Sequence, residues 1–167
     1  MNGTTLKMQH ALTAYVLDRN IEGVDHAESL APPSPGGNCA NWVLGHIVSA
    51  RNTALGIVGQ TPLAPPEKFA AYGNEPLTGE TNAIPWDELV DLLHRSQAPL
   101  EEGLAQASDE TMAKPAPFSP TNNPDETIGS LLAAFAFHEA YHAGQLGLLR
   151  RLNGHAGALK GPEAATA

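Results

Sequence analysis

The chain has little cysteine and few basic residues, and each shortage excludes a class of protein. Its single cysteine, Cys39, cannot form an intramolecular disulfide, so the fold must be stabilised by packing or by a bound metal. Nine lysines and arginines stand against 18 aspartates and glutamates, which gives a formal net charge of −9. A surface of that sign repels phosphate backbones and anionic lipid, so we expect no nucleic-acid partner.

Long apolar runs are also missing. No stretch approaches the ~20 residues needed to cross a bilayer. The first ten residues, Met-Asn-Gly-Thr-Thr-Leu-Lys-Met-Gln-His, lack the basic flank and apolar run of a secretory signal. We therefore expect a cytoplasmic protein without membrane contact. With 167 residues, of which 42% are hydrophobic, the chain has the size of one domain.

Four segments carry apolar residues at spacings of three and four, which predicts amphipathic helices. The predicted helices cover residues 4–20, 38–57, 86–107 and 128–152. Thr4 or Thr5 is the predicted cap of the first helix, and Thr127 is the predicted cap of the last. Pro99 is predicted to kink the third helix or to divide it into two shorter helices.

Connections rich in proline and glycine separate these helices. They cover residues 31–37, 59–85 and 108–126. The last two are long enough to run across an end of a bundle, and we expect Phe69 and Tyr72 to pin the first of them to the helices. This organisation predicts an all-α fold, a four-helix bundle with long crossover connections. We expect a single domain over residues 1–157 and a frayed C-terminal tail over residues 158–167.

The run His138-Glu139-Ala140-Tyr141-His142 places two histidines four residues apart in the last predicted helix. Residues at this spacing are offset by only ~40° and lie ~6 Å apart along the axis, so both imidazoles can reach one metal ion. The same run is an H-E-x-x-H signature, in which Glu139 would be the general base of a zinc protease. A third ligand must decide between the two readings, because an open zinc site normally takes three protein ligands.

The sequence after His142 offers no convincing third ligand. A metzincin would have glycine at position 145 and histidine at 148, where this chain has Gln145 and Leu148. Upstream, His46 lies in the apolar helical segment Asn-Trp-Val-Leu-Gly-His-Ile and is our candidate third ligand. His10, on the apolar face of the first helix, is expected to be a core or pocket-wall residue.

Three neighbours of these histidines are candidate pocket or outer-sphere residues. Glu139 is rotated about 100° from His138, so we expect a solvated or second-shell carboxylate rather than a base. Gln145 follows His142 by almost one turn, and it would either orient a metal-bound water or satisfy a buried backbone group. Trp42 lies one turn before His46 and is a third pocket candidate. The catalytic residues stay unassigned.

The segment around His46, together with His-Glu-Ala-Tyr-His-Ala-Gly-Gln-Leu and the following Leu-Arg-Arg-Leu-Asn-Gly, resembles the DinB-like (DinB/YfiT) superfamily. The resemblance implies a four-helix bundle with an unusual crossover order. It also implies a divalent metal held by three histidines, which map onto His46, His138 and His142. Members are often homodimers, and some relatives are metal-dependent hydrolases, or transferases and isomerases that use low-molecular-weight thiols such as bacillithiol and mycothiol.

The leading functional prediction is a divalent-metal-dependent enzyme that activates water or a low-molecular-weight thiol for hydrolysis or transfer on a small molecule. Three imidazoles suit zinc, nickel, iron or cobalt, so the sequence does not select the ion. The alternative is a non-catalytic metal- or ligand-binding bundle that serves as a stress-related scaffold or sensor. A zinc protease with the H-E-x-x-H motif is the minor alternative.

Overall fold

The structure is a computed structural model that describes residues 2–34, 36–77 and 82–159. In these ranges the chain is helical, and the only β pairing is an isolated bridge between Pro115 and Thr127. The elements are α1 (Gly3–Ile21), α2 (His26–Ser29), α3 (Ala40–Ile57), a 3₁₀ helix (Pro66–Tyr72), α4 (Trp86–Gln106), α5 (Asp109–Ala113) and α6 (Ile128–Leu152). The prediction of an all-α fold is confirmed.

Helix ends follow local hydrogen bonding. The Thr127 hydroxyl caps α6 as predicted, because it accepts from the Ser130 backbone N–H at 3.1 Å, while the Ser130 hydroxyl accepts from the Thr127 N–H at 2.9 Å. The predicted cap of α1 is wrong, since Asn2 Oδ1 accepts from the Thr5 backbone N–H at 3.0 Å. The short helices α2 and α5 were not predicted, because four or five residues carry too little periodicity.

Helix α4 runs without interruption through Pro99, so the alternative of two shorter helices is wrong. A proline inside a helix removes one backbone hydrogen bond. Leu100 and Leu104 follow it on the same helix and are completely buried. We attribute the continuity of α4 to this burial, which holds the last turns against the bundle.

The four long helices form a ring in which α1 and α3 are diagonal to each other. Helix α1 packs against α4 and α6, and α3 packs against the same two helices. Two apolar clusters fill the interior. The Trp cluster includes Leu17, Val43, Ile47, Trp42, Trp86, Leu89 and Leu146. The Leu cluster includes Leu6, Ala54, Leu55, Leu100, Leu104, Leu132 and Ala136.

The clusters explain why one connection must be long. Helix α3 runs from Val43 in the Trp cluster to Leu55 in the Leu cluster, and α4 runs the same way, from Trp86 to Leu104. Parallel neighbours require a connection that returns along the bundle, a distance of about 27 Å for the 18 residues of α3. We call residues 58–85 the crossover segment. The predicted crossover arrangement is therefore found.

Buried aromatic residues hold the crossover segment to the bundle. It contains the 3₁₀ helix, in which Phe69 and Tyr72 are only 5% and 1% exposed. The expected pinning by these two residues is confirmed. The domain limits 1–157 stay a prediction, and the predicted tail at 158–167 lies outside the described residues from position 160 onward. No helix in the described ranges combines the length and apolar character that crossing a bilayer requires.

Candidate metal centre

Histidines from two neighbouring helices converge between the bundle elements. His46 comes from α3, and His138 and His142 come from consecutive turns of α6. One ring nitrogen from each lies within 4.8 Å of the other two. His46 Nε2 and His138 Nε2 are 2.8 Å apart. The fold thus brings together all three histidines that the sequence singles out. His46 and His138 are 92 residues apart in the chain.

Hydrogen bonds fix the orientation of two of these rings. His46 Nδ1 is 2.7 Å from the backbone oxygen of Tyr72, and His142 Nδ1 is 2.7 Å from Gln145 Oε1. Because an amide oxygen only accepts, each Nδ1 must carry the hydrogen. In their neutral form, His46 and His142 therefore have the lone pair on Nε2, as in metal-binding histidines whose other nitrogen donates to a carbonyl or carboxylate.

The ring of His138 has no such partner. Its Nδ1 is buried without a hydrogen bond among the described residues. Burial, with the neighbouring His142 and His46, lowers the pKa of His138 to about 4. Burial also lowers the pKa of His142. Both rings are therefore neutral at pH 7, the state in which histidine binds metal.

Trp42 forms one wall of the cluster. Its ring stacks on His46 with 4.7 Å between centroids and 13° between planes. Its Nε1–H donates to the backbone oxygen of Glu75 at 2.8 Å. Trp42 thus lies against a candidate ligand, as the sequence indicated. The side-chain oxygen of Gln145 binds His142 directly, and its two predicted roles, toward a metal-bound water or a buried backbone group, stay predictions.

Glu139 points into the core. Arg51 Nε donates to Glu139 Oε2 at 2.7 Å, and Arg51 Nη2 donates to Glu139 Oε1 at 2.8 Å. The glutamate is 3% exposed, so the expectation of a solvated carboxylate is wrong. Burial raises the pKa of Glu139, but Arg51 and His10 outweigh that effect and lower it to about 2. A carboxylate held by two charged hydrogen bonds is a poor general base, which opposes the protease reading.

Arg51 was missed by the sequence analysis, although an arginine on an apolar helix face is a visible signal. Its Nη1 also donates to Ser96 Oγ of α4 at 3.1 Å. His10 of α1 lies close, with Nδ1 3.3 Å from Glu139 Oε2, but the geometry is not that of a hydrogen bond. The polar layer, defined as His10, Arg51, Ser96 and Glu139, takes one side chain from each long helix and separates the two apolar clusters. His10 is a core residue, as predicted.

The histidine cluster fits a divalent transition metal by its donor chemistry. Zinc binds histidine nitrogen at about 2.0–2.1 Å, so nitrogens around one tetrahedral ion lie roughly 3.4 Å apart. The spacings of 2.8 Å to within 4.8 Å bracket that value. Three neutral imidazoles leave the full charge of the ion uncompensated and leave coordination positions that protein side chains do not fill. Among the described residues, no carboxylate or thiolate joins this group.

A four-helix bundle with an interhelical histidine cluster is the class that fold and site define. The chain matches the family model of the DinB superfamily over residues 9–146 and belongs to that superfamily. Its members generally bind divalent metals. The fold is similar to the crystal structure of a conserved protein from Enterococcus faecalis, with a TM-score of 0.69 and 19% identity over 91% of this chain and 97% of that one. No curated protein sequence matches the chain.

Proposed function

We propose that His46, His138 and His142 hold one divalent transition-metal ion, zinc, nickel, iron or cobalt, in an enzyme that acts on a small molecule by hydrolysis or thiol transfer. The observation that carries the proposal is the pair of Nδ1 hydrogen bonds, to Tyr72 and Gln145, which place the lone pair of two ligands on Nε2. A metal bound there supplies Lewis acidity, which favours the deprotonated form of water or of a low-molecular-weight thiol.

The side chains of the site support this chemistry. Gln145 keeps His142 in one tautomer, and the Trp42 ring covers one face of His46. The neutral ligand set favours an anionic partner such as hydroxide or thiolate, because no protein carboxylate in the cluster offsets the metal charge. The small molecule would therefore be attacked beside α3 and α6, at the edge where His46 and His138 are partly exposed.

Glu139 supports the second candidate, a metal- or ligand-binding bundle without turnover. Its carboxylate is bound to Arg51, so the glutamate next to the ligands is not free to act as a base. The two candidates differ in turnover. We expect the zinc-, nickel- or cobalt-loaded protein to catalyse at least one reaction in a panel of ester hydrolyses and thiol transfers, with loss in His142→Ala and retention in His94→Ala. Metal binding without any turnover would instead favour the non-catalytic bundle.

The protease alternative has a direct test. It requires peptide cleavage by the metal-loaded protein that disappears in Glu139→Gln. We expect no cleavage by the wild type, because the ion pair with Arg51 occupies the carboxylate. Cleavage that survives in His94→Ala and is lost in Glu139→Gln, under conditions where thermal melts show that variant to be folded, would revive the protease hypothesis.

We also propose a homodimer formed through the outer faces of α1 and α6. Their exposed apolar side chains are Met8, Leu12, Tyr15, Phe137, Tyr141, Leu148 and Leu152. At half to three-quarters exposure these seven present on the order of 800 Å², which is close to one side of a standard interface and above the largest patch of a typical monomer. A second copy of this chain would cover them.

Charge selects this face for self-association. Between residues 128 and 149 of α6 the only aspartate, glutamate, lysine or arginine is the buried Glu139. The exposed side of α4 carries Asp87, Glu88, Asp91, Arg95 and Glu102. Two chains of charge −9 repel each other through charged surfaces, so close approach is favoured along α6, where exposed charges are few. We expect twice the chain mass in light scattering, the chain mass for Phe137→Glu, and no change for Glu102→Gln. A monomeric wild type at micromolar concentration would contradict the dimer.

A further inference from the structure

One sequence motif on α3 contacts the crossover segment at every position that is not aliphatic. The α3 motif is residues 41–47, and its non-aliphatic members are Asn41, Trp42, Gly45 and His46. We propose that the motif is a receptor for Tyr72 of the crossover segment and that Tyr72 is a positioning residue for His46. This inference rests on the proposed metal site, for which it assigns the element that sets the ring of one ligand.

The backbone of Tyr72 contacts His46, and its ring contacts the preceding residue. Its carbonyl oxygen accepts from His46 Nδ1 at 2.7 Å. Its ring lies so close to α3 that a Cβ added at Gly45 would be 2.1 Å from Tyr72 Cε1 and 2.2 Å from Cδ1. A glycine beside His46 is therefore needed for Tyr72 to approach the helix. The Tyr72 ring is 1% exposed and has no room to turn outward.

The hydroxyl of Tyr72 fastens the same residue at its other end. It donates to Asn41 Oδ1 at 2.9 Å and accepts from the Ile84 backbone N–H at 2.6 Å. Asn41 Nδ2 in turn donates to the Ile84 backbone oxygen at 3.0 Å. These bonds join the start of α3 to two positions of the crossover segment, Tyr72 and Ile84. Tyr72 thus has contacts at its carbonyl, its ring and its hydroxyl, which favour one position of the carbonyl beside His46.

Trp42 completes the receptor. Its Nε1–H donates to the backbone oxygen of Glu75, three residues after Tyr72, while its ring stacks on His46. Backbone oxygens of the crossover segment therefore fix two stacked rings at the site. A residue 26 positions away from His46 in sequence determines which nitrogen of that histidine carries the lone pair.

The variant Gly45→Ala tests the positioning of His46 separately from the general stability of α3. Gly45→Ala forces the Tyr72 ring away, so we expect metal affinity to fall about 10–100-fold, the usual effect of losing an outer-sphere partner of a ligand. Gly56→Ala is the matched control on the same helix, since its Cβ would meet only Pro62 Cγ at 3.8 Å. We expect this control to bind metal as the wild type does. Affinity is measured for zinc and cobalt by competition with a chromophoric chelator, after thermal melts show that both variants are folded.

Nitrogen-15 NMR of the metal-free protein supplies a readout that needs no metal. At about pH 8, we expect His46 to be protonated on Nδ1 in the wild type and in Gly56→Ala, because Tyr72 supplies the acceptor. We expect a tautomer mixture in Gly45→Ala. Tyr72→Phe keeps the ring and the carbonyl but loses the hydroxyl bonds, so its His46 tautomer should stay closer to the wild type.

Two results would contradict the positioning role of Tyr72. An Nε2-protonated His46 in the metal-free wild type would overturn the positioning role, and so would equal metal affinity of Gly45→Ala and Gly56→Ala. If the wild type bound no metal while Gly45→Ala still altered the tautomer, the proposed metal function would fail and the positioning role would stand. If Gly45→Ala did not fold, the Tyr72→Phe spectrum would decide, because a small shift of His46 away from the Nδ1-protonated form supports the clamp and a spectrum identical to that of the wild type rejects it.

Discussion

Two polar groups lie between α3 and α6 within two turns of each other, and they differ in how far their members satisfy one another. Arg51 and Glu139 form a closed pair, with two hydrogen bonds between opposite charges. The histidine cluster is open, because nitrogen atoms of like character face each other at 2.8 Å and need a hydrogen or a cation between them. The closed pair holds the helices together, and the open cluster is suited to an external ligand.

The H-E-x-x-H motif contributes residues to both of these groups. His138 and Glu139 are adjacent in sequence, but one faces the histidine cluster and the other faces the polar layer. A rotation of about 100° per residue is enough to give neighbours different environments. The H-E-x-x-H pattern therefore contains one ligand pair and one structural glutamate. Single substitutions can therefore disrupt the closed pair or the histidine cluster separately.

The largest effect on stability is expected from breaking the closed pair. Glu139→Gln leaves the Arg51 guanidinium buried without a counter-charge, which should lower the free energy of unfolding by about 3–5 kcal/mol. Urea unfolding of the metal-free protein measures it. The control is Asp91→Asn, which breaks the exposed pair with Arg95 and should cost no more than about 1 kcal/mol. Equal losses in both variants would refute the structural role of Glu139.

A smaller effect, on metal affinity rather than on folding, is expected when His142 loses its acceptor. Gln145→Leu should weaken metal binding about 10–100-fold, since the Nδ1 hydrogen bond no longer holds the ring. Unfolding of the metal-free protein should change by less than about 1 kcal/mol, because the glutamine is partly exposed. Gln97→Leu on α4 serves as the control. Unchanged affinity in Gln145→Leu would show that the histidine needs no orienting partner.

The pH dependence of stability should distinguish the two groups, because each loses stability in a different pH range. The pKa of His138 falls from 6.5 to about 4 on folding, so the unfolded chain binds the proton first. The metal-free protein should therefore lose stability, by about 1–2 kcal/mol, as the pH drops from 6.5 to 4. The pKa of Glu139 falls from 4.5 to about 2, so its contribution is complete above pH 4.5 and is lost as the pH drops to 2.

A histidine variant checks this assignment of the two ranges. His138→Asn should reduce the loss between pH 6.5 and 4, to which the lowered pKa of His142 also contributes, and should leave the loss below pH 4.5 in place, as measured by urea midpoints across the series. A loss between pH 6.5 and 4 that is as large in His138→Asn as in the wild type would assign that range to another group.

The sequence was sufficient for features that repeat along one element. Helix α6 was predicted with its cap and both ends, because its apolar spacing is regular and Thr127 precedes it. The convergence of His46 with His138 and His142 was predicted from the helical spacing of the pair, from the position of His46 on another apolar face and from the resemblance to the superfamily. The resemblance to the superfamily supplied the crossover order, which periodicity alone does not determine.

Contacts between distant segments could not be predicted in the same way. Arg51, the partner of Glu139, is 88 residues away in the chain. The rotation angle on α6 predicts the direction of the carboxylate but not the residue that binds it. Tyr72 was expected to pin the crossover segment, yet its hydrogen bond to His46 depends on backbone geometry that no side-chain pattern records. Short helices such as α5 depend on a single cap, Ser108. This cap was not recognised in the proline-rich connection, so the helix was not predicted.

The most direct test of the central claim is the metal content of the untagged protein by plasma mass spectrometry, for the wild type, His46→Ala, His142→Ala and the control His94→Ala. His94 is an exposed histidine on α4 that binds Asp18, away from the cluster. We expect about one divalent ion per chain in the wild type and the control after reloading, and its loss in both cluster variants. Retention of the ion in His46→Ala with loss in His142→Ala, or no ion in the reloaded wild type, would contradict a site shared by α3 and α6.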